Sequence, residues 1–352
     1  MVSFYPGPSR VYTKVPLYLK DAYAQGIMSI NHRSEEFVAI SKKTVTLLKD
    51  KLNIPKSYSI YFVSSATECW EIIAQSVIEK EGVHIYNGAF GEKWFQYTKK
   101  LKPTVKSFIF DREEELIPDK LMFNTPEVIC FTQNETANGT QVKNEIIQSV
   151  RKNNPNSLLA VDATSSMGGV ALNFAAADIW FASVQKCFGL PAGLGLLVCS
   201  PKALEHARSV NDRKHYNSLL FLDDMMKSWQ TSYTLNVVEI YLLLRVMESV
   251  KPIDSVHKTI INRHQKWEAF FDTKSEQLNF LIKNKAVRSH TVLTIEAKPA
   301  VVEKVKTRAK QAGIILGEGY GELKSSTFRI ANFPAIQRKE IALLMDFLHD
   351  FI

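Results

Sequence analysis

The stretch SLLAVDATSSMGGVALNFAAADIWFASVQK occupies residues 157–186 and contains two apolar runs that decide the fold. The runs at 157–162 and 179–184 are short and rich in large apolar residues, which is typical of fully buried strands. The first run ends at Asp162, and the second is followed by Gln185 and Lys186. Because parallel strands of a wound sheet bring their carboxyl ends to one edge, we expect Asp162 and Lys186 to lie close together there.

Five further strand patterns surround these two runs. They are rich in Val, Ile, Phe and Tyr, are bounded by Gly, Asn, Ser or Asp, and cover residues 59–65, 83–87, 107–110, 128–133 and 194–199. Helical patterns lie between several of them, for example at 67–79 and 141–152. Strands that alternate with helices predict an α/β fold with a mainly parallel seven-stranded sheet and helices on both faces.

The pattern changes near residue 236, where a smaller α+β domain is predicted to begin. We assign residues 16–235 to a large domain and residues 236–352 to this second domain. Its predicted elements are helices at 236–250 and 254–271, a strand at 289–295, a helix at 298–312, a Gly-rich turn at 317–321, a strand at 327–330 and a helix at 335–351.

Composition and charge exclude several classes of protein. The chain has 352 residues, of which 45% are hydrophobic, and a net charge of +8, so it is globular and basic. The basic residues are scattered, without a nucleic-acid-binding module, which indicates a solvated surface that favours small anionic substrates. No window approaches the roughly 18 apolar residues of a membrane helix, and the first ten residues lack a signal-peptide pattern.

The four cysteines, Cys69, Cys130, Cys187 and Cys199, form no CxxC pair and mostly adjoin apolar runs. We interpret them as core thiols in a reducing compartment rather than as disulfides or zinc ligands, and expect no metal site. The sequence therefore predicts a cytoplasmic protein that binds neither nucleic acid nor membrane.

Lys186 and Asp162 are the candidate catalytic residues. A lysine at a strand end is usually a solvated surface group, and an acid there often caps a helix. The Gly- and Pro-rich segment after Lys186 indicates a shaped pocket instead, where burial lowers the pKa of an amine and makes it a nucleophile for Schiff-base chemistry. In this interpretation Asp162 keeps a pyridine nitrogen protonated.

Two other features suit a phosphorylated aromatic cofactor. Ser65, Ala66 and Thr67 open a helix, and helix N-termini bind phosphate, although N-capping alone is the commoner role of Ser and Thr. Phe90 has small residues on both sides and suits stacking on a flat ring, although a buried core position is the default for phenylalanine.

Six segments together resemble a known family over essentially the whole chain: FYPGP (4–8), HRSEEF (32–37), NETANG (134–139), VDATSS (161–166), SVQK (183–186) and FRIANFP (328–334). They resemble the class V aminotransferase group of fold-type I pyridoxal-phosphate (PLP) enzymes, and within it the phosphoserine aminotransferase branch. The resemblance implies PLP as cofactor, a homodimer with shared active sites, and an N-terminal arm, residues 1–15, that contributes to the site.

The resemblance also implies roles for individual residues. Lys186 forms the Schiff base and Asp162 pairs with the pyridine nitrogen. The remaining cofactor contacts are implied for Ser65, Ala66, Thr67 and Gln185 at the phosphate, Phe90 on the ring, Thr136 near the phenolic oxygen, and Thr231 and Thr234 at the phosphate of the neighbouring subunit. Arg329 matches the arginine that binds the substrate α-carboxylate. His32 and Arg33 are candidates for a substrate phosphate, with Arg10 as a third.

Two segments depart from the common bacterial phosphoserine enzymes. Residues 64–68, SSATE, lack the Gly-Gly-Ala form, and residues 230–234, QTSYT, lack a double proline. Both departures favour the serine– or alanine–glyoxylate branch or the archaeal-type phosphoserine enzymes.

Three functions therefore remain open. The first is ping-pong transamination between phosphoserine and 2-oxoglutarate in serine biosynthesis, and the second is a serine/alanine–glyoxylate aminotransferase. The third, a nucleotide-binding α/β module, is disfavoured because GxGxxG and Walker A motifs are absent.

Overall fold

The computed structural model of the chain describes residues 1–124, 126–272 and 277–351. Its helices, numbered α1–α11 in chain order, are Val15–Ala24, Glu35–Leu52, Ala66–Ser76, Ala89–Leu101, Asn144–Asn153, Pro201–Val210, Leu219–Met226, Val237–Ser249, Ile253–Asp272, Pro299–Gln311 and Arg338–His349. Its strands, β1–β14, are Val2–Phe4, Ser59–Val63, Gly82–Tyr86, Lys106–Ile109, Val128–Thr132, Asn134–Glu135, Thr140–Gln141, Leu158–Asp162, Ile179–Ser183, Gly195–Cys199, Asn279–Phe280, Val292–Glu296, Ile314–Glu318 and Thr327–Ala331.

The large sheet has seven strands in the order β2-β10-β9-β8-β5-β3-β4. All its strands run parallel except β10, which is antiparallel to both β2 and β9. No helix lies between β9 and β10, and a parallel return requires a longer crossover, so this pair is antiparallel. The prediction of a mainly parallel seven-stranded sheet is confirmed.

Helices cover both faces of this sheet because alternate strand residues point in opposite directions. In β8, Leu159 and Val161 belong to the hydrophobic cluster that includes α1, α2 and α8. Leu158 and Ala160 belong to the cluster on the opposite face, formed with α3, α6 and α7. A strand buried on both faces reads as a continuous apolar run, which is the pattern of residues 157–162.

The second sheet has five strands in the order β1-β13-β14-β12-β11, and β1 pairs in parallel with β13. The predicted Gly-rich turn at 317–321 was wrong in its first part, because Gly317 lies within β13. A Cβ atom at Gly317 would lie 2.4 Å from Cδ of Pro6. Glycine is needed there because the N-terminal segment passes close to the strand, not because the chain turns.

Helix α8 lies with the large sheet, although it falls in the predicted second domain. Its buried residues, among them Ile240 and Leu243, share a hydrophobic cluster with α1 and α2. The domain division remains a prediction, and this packing leads us to propose a boundary after α8 rather than at residue 236.

Two predicted helices begin later than expected. Residues 140–141 pair with Asn134–Glu135 as a short hairpin, so α5 begins at Asn144 rather than near residue 141. Helix α11 begins at Arg338 because Gln337 N–H donates to Glu340 Oε2 at 2.8 Å, which caps its first turn.

Among the described residues, no helix is both long enough and apolar enough to cross a lipid bilayer. Cys69, Cys130, Cys187 and Cys199 are all buried and unpaired. No cluster of His, Cys, Asp or Glu suited to a metal ion occurs in the part of the chain that the structure describes.

Candidate active site

A cavity of about 520 Å³ lies at the carboxyl ends of the large-sheet strands, where it meets the second sheet. Eight of the predicted site residues line it: Ala66, Thr67, Phe90, Thr136, Asp162, Gln185, Lys186 and Arg329. The N-terminal segment at residues 5–8 lines it as well. A Cβ atom at Gly7 would lie 3.0 Å from Cε of Lys186, so this segment passes directly beside the lysine.

The Lys186 side chain is buried and held by two hydroxyl groups. Its Nζ donates to Ser165 Oγ at 2.9 Å and to Thr136 Oγ1 at 3.1 Å. Burial lowers its pKa from 10.5 to about 8, against the opposing charges of Asp162 and Glu135. Near physiological pH, a much larger fraction of this amine is therefore neutral than of an ordinary lysine, and the neutral form is the one that acts as a nucleophile or a base.

Asp162 ends β8 and is buried at the cavity wall. Its Oδ1 accepts a hydrogen bond from Thr164 N–H at 2.9 Å. Burial raises the pKa of Asp162, while hydrogen bonds from Thr164 and the charge of Lys186 act in the opposite direction. A cationic N–H placed beside this carboxylate would stabilise its ionised form.

Glu135 is a second buried carboxylate that organises the cavity. Its Oε2 accepts hydrogen bonds from Phe90 N–H and Gly91 N–H at 3.0 and 3.1 Å, and its Oε1 accepts one from Ala137 N–H at 2.8 Å. These bonds anchor the start of α4 and hold the Phe90 ring centroid 5.3 Å from Lys186 Nζ. Glu135 therefore fixes the aromatic wall of the cavity.

The start of α3 forms another wall. Ala66 N–H donates to Ser183 Oγ at 2.7 Å, which ties α3 to the end of β9. The Ser65 hydroxyl accepts from Glu68 N–H at 3.1 Å and so caps the helix. Gln185 Oε1 is buried without a hydrogen-bond partner, which leaves an unsatisfied polar group at the cavity.

Arg329 projects from β14 into the cavity and is buried. Its Nε donates to Glu318 O at 2.6 Å, and its Nη1 donates to Thr136 O at 2.8 Å. Its guanidinium lies 5.6 Å from the ring centroid of Tyr320. These contacts fix the orientation of a planar cation that suits a carboxylate.

Comparison with known proteins now identifies the family. Residues 6–330 match the family model described as aminotransferase class-V. The chain belongs to the class V aminotransferase family.

Individual relatives resemble the chain over nearly its whole length. Phosphoserine aminotransferase of Corynebacterium glutamicum is 26% identical over 98% of this chain and 93% of that protein. The crystal structure of a phosphoserine aminotransferase from Cytophaga hutchinsonii has a TM-score of 0.95 and 28% identity, covering 100% of this chain and 99% of that one. Alanine–glyoxylate aminotransferase from Nostoc sp. has a TM-score of 0.81, with 99% and 94% coverage, but at 18% identity it shows the fold alone.

Class V aminotransferases use PLP, and the residues in this cavity fit that cofactor. A buried lysine with a lowered pKa suits its aldehyde, and a buried carboxylate suits a protonated ring nitrogen. Phe90 offers a flat apolar face, and the N-terminus of α3, which reaches the cavity at Ala66 and Thr67, suits a phosphate.

Several predicted site residues do not line the cavity of their own chain: Arg10, His32, Arg33, Ser65, Thr231 and Thr234. Arg10 instead pairs with Glu340 at 2.8 Å. His32 and Arg33 immediately precede Ser34, the N-cap of α2. The Thr231 hydroxyl donates to Tyr233 O at 2.7 Å. The structure therefore engages Arg10 elsewhere, and the functional roles of all six remain predictions.

Sequence reasoning missed several residues that shape the site of this aminotransferase, among them Glu135. Ser165, which binds Lys186 Nζ, lies within the quoted VDATSS segment, so the motif contained its signal. Trp70 lines the cavity one helical turn after Ala66, and helical spacing could have found it. Tyr320 and Lys324 lie in and after the Gly-rich segment, and no sequence pattern marks either of them.

The lowered pKa of Lys186 predicts an unusual pH dependence of its reactivity. Only a neutral amine reacts with acetic anhydride, so labelling of Lys186 in the cofactor-free protein should rise with pH and level off above about pH 9. An amine with the ordinary pKa of 10.5 continues to gain reactivity beyond that point. Competitive labelling against added N-acetyl-lysine, followed by peptide mass spectrometry, measures the profile. A profile parallel to that of the reference amine would contradict the burial argument.

Proposed function

We propose that this class V aminotransferase transfers the amino group of phosphoserine to 2-oxoglutarate by a ping-pong reaction, as in serine biosynthesis. The observation that carries the proposal is the match to a phosphoserine aminotransferase with a TM-score of 0.95 over 100% of the chain. The charge of the cavity supports it, because Lys324 is a second cation beyond Arg329 on the second-domain side. A substrate with a phosphate and a carboxylate requires more than one such cation.

The residues of the cavity divide the chemistry between them. Bound PLP supplies an electron sink for the electrons released at the substrate Cα. Lys186 Nζ, oriented by the hydroxyl groups of Ser165 and Thr136, would take the proton from the substrate Cα and deliver it to the cofactor carbon that receives the amino group. Asp162 holds the proton on the ring nitrogen, and Arg329 binds the α-carboxylate in a fixed orientation.

We further propose a homodimer with shared active sites. In this arrangement His32 and Arg33 reach the substrate phosphate, and Thr231 and Thr234 reach the cofactor phosphate, across the subunit interface. The proposal is supported by their position outside the cavity of their own chain. A cytoplasmic location is part of the same proposal, since all four cysteines are unpaired.

A serine/alanine–glyoxylate aminotransferase is the second candidate. The segment SSATE at residues 64–68 supports it, because this segment lacks the Gly-Gly-Ala form of the common bacterial phosphoserine enzymes, although the archaeal-type phosphoserine enzymes fit the same departure. The third possibility, a nucleotide-binding module, is excluded because the chain belongs to the class V aminotransferase family.

The identity of the substrate predicts a selective effect of Arg33. We expect Arg33→Ala to lower kcat/KM for phosphoserine about 10- to 100-fold, the effect of losing one charge-assisted contact, and to change alanine and serine much less. Steady-state kinetics with a panel of amino donors measures this difference. Lys42→Ala is the matched control, because Lys42 is an exposed basic residue of α2, the helix that follows Arg33.

A second arm of this experiment tests the shared site. Co-expression of Arg33→Ala with Lys186→Ala should restore about a quarter of wild-type activity, because half of the dimers then contain one complete site. A wild type that prefers alanine or serine with glyoxylate, or an Arg33→Ala variant that loses all donors equally, would favour the second candidate.

A further inference from the structure

A second cavity, of about 320 Å³, lies apart from the active site. It is lined by residues 12–14, by the chain after α8 at residues 249–251, by one side of α9 and by Pro334. We call this cavity the basic groove. Its volume is at the lower end of the range for small-molecule sites, which suits a compact metabolite rather than a cofactor.

The lining of the basic groove is positively charged. Lys14, Lys251 and Arg263 line it, and no Asp or Glu among the described residues does so. Lys51 adds a fourth cation behind the wall, where its Nζ donates to Val250 O at 2.7 Å. Three basic side chains around one small concavity concentrate positive potential, because nearby protein excludes the water that would screen it.

Arg263 is the half-buried cation of the groove. Its Nη1 donates to Phe333 O at 3.3 Å, and burial lowers its pKa, whereas Tyr12 and Glu340 act in the opposite direction. Glu340 itself is engaged by Arg10 at 2.8 Å. Its other oxygen accepts from Gln337 N–H and caps α11. Glu340 therefore does not neutralise Arg263 by a direct ion pair.

Two further acids, Glu248 and Asp254, are neighbours in sequence of residues that line the groove, and each contacts a residue outside it. Asp254 accepts from Asn53 Nδ2 at 3.3 Å. Glu248 pairs with Lys43 at 2.5 Å and with Arg245 at 3.3 Å. Asp254 keeps its charge, because its partner is a neutral amide, but neither Asp254 nor Glu248 lines the groove.

Hydroxyl groups complete the lining. Thr13, Ser249, Ser255 and Thr259 line the groove between the cations and offer hydrogen-bond donors to oxygen atoms of a ligand. We propose that the basic groove binds a small anion carrying at least two negative charges, either a phosphate ester or a dicarboxylate. Such a ligand pairs with Arg263 and with the two lysines at the rim.

One wall of the groove, at Tyr12, is hydrogen-bonded to the segment that follows Lys186. Tyr12 N–H donates to Gly189 O at 2.9 Å, and Gly189 N–H donates to Lys186 O at 3.0 Å. A Cβ atom at Gly189 would lie 2.7 Å from the Tyr12 ring, so the two segments are packed tightly. A ligand held beside Tyr12 therefore stabilises the arm that continues into the active-site cavity.

The test is calorimetric titration of the PLP-loaded enzyme with inorganic phosphate and, separately, with malonate, at ionic strength held constant with sodium chloride. We expect both anions to bind, and Lys251→Gln and Arg263→Gln each to raise Kd about tenfold. Lys258→Gln is the matched control, since Lys258 is an exposed lysine of α9 that does not line the groove. Tighter binding of phosphate identifies a phosphate ester as the ligand, and tighter binding of malonate identifies a dicarboxylate.

Two results would overturn the proposal. One is the absence of saturable binding of either anion. The other is binding that neither groove variant weakens but that Arg329→Gln abolishes, which assigns the anion to the active site. Lys251 is exposed, so Lys251→Gln keeps the test valid even if Arg263→Gln fails to fold.

Discussion

Lys186→Ala is expected to lose covalent attachment of the cofactor and to lower transamination by at least about 10²–10⁴-fold, the usual contribution of a positioned proton-transfer group. The reason is geometric. Lys186 Nζ is held by Ser165 and Thr136, and no other lysine is buried among the described residues of the cavity. Lys324 also lines the cavity, but its side chain is exposed and belongs to the second-domain side.

Borohydride reduction followed by peptide mapping measures the attachment. In the wild type, the pyridoxyl label should appear on the peptide containing Lys186 and disappear in Lys186→Ala. Lys258→Ala serves as control, because an exposed lysine outside the cavity should change neither the label nor the rate. Label on Lys324 or on any other lysine would refute the assignment.

The adjacency of Asp162 and Lys186 was predictable because both follow strands that are buried on both faces. Such strands have an uninterrupted apolar run instead of alternating polar and apolar residues. In an open α/β sheet, ligands bind at the carboxyl ends of the strands, so the polar residues that follow the strands are expected to lie together there. The structure agrees with that expectation: the charge of Lys186 lowers the pKa of Asp162, and the charge of Asp162 raises the pKa of Lys186.

Close approaches between distant segments were not predictable. Gly317 resembles a turn residue together with Gly319 and Gly321, yet it lies in β13, where Pro6 leaves no room for a Cβ atom. A glycine required by a neighbour some three hundred residues away has the same local sequence as a glycine in a turn. Only the paired strands β1 and β13 distinguish the two cases.

The sequence also did not predict which hydrophobic cluster a given helix packs into. Residues 236–250 have the apolar content of a core helix, but that content does not say which core it enters. The structure assigns α8 to the cluster with α1 and α2. Sequence periodicity defines the buried face of a helix and leaves its partner undetermined.

The cations of the site divide into predictable and unpredictable groups. Arg329 belongs to a specific motif, and the structure brings it into the cavity. Lys324 lies on an exposed 3₁₀ turn, Gly321–Lys324, where a basic residue is unremarkable in sequence. His32 and Arg33 also belong to a quoted motif, but the structure leaves both outside the cavity of their own chain.

Asp162→Asn is expected to retain the cofactor but to lower kcat about 10²–10³-fold, the size of effect seen when one preorganised electrostatic contact is removed. Asparagine has nearly the same shape, and its amide oxygen can still accept from Thr164 N–H, as Asp162 Oδ1 does at 2.9 Å. An uncharged amide does not keep the ring nitrogen protonated, so electrons released at the substrate Cα are stabilised less well.

The measurements are kcat with phosphoserine and the amount of bound cofactor from its visible absorbance. Asp162→Glu is the matched control, because it restores the negative charge with a longer reach and should recover part of the rate. The start of α3, which we propose binds the cofactor phosphate, is held by Ser183 and Ser65 rather than by Asp162, so loss of the cofactor itself is not expected. Near-wild-type turnover of Asp162→Asn with the cofactor bound would contradict this role, since the substitution keeps the shape of the side chain but removes its negative charge and one acceptor oxygen.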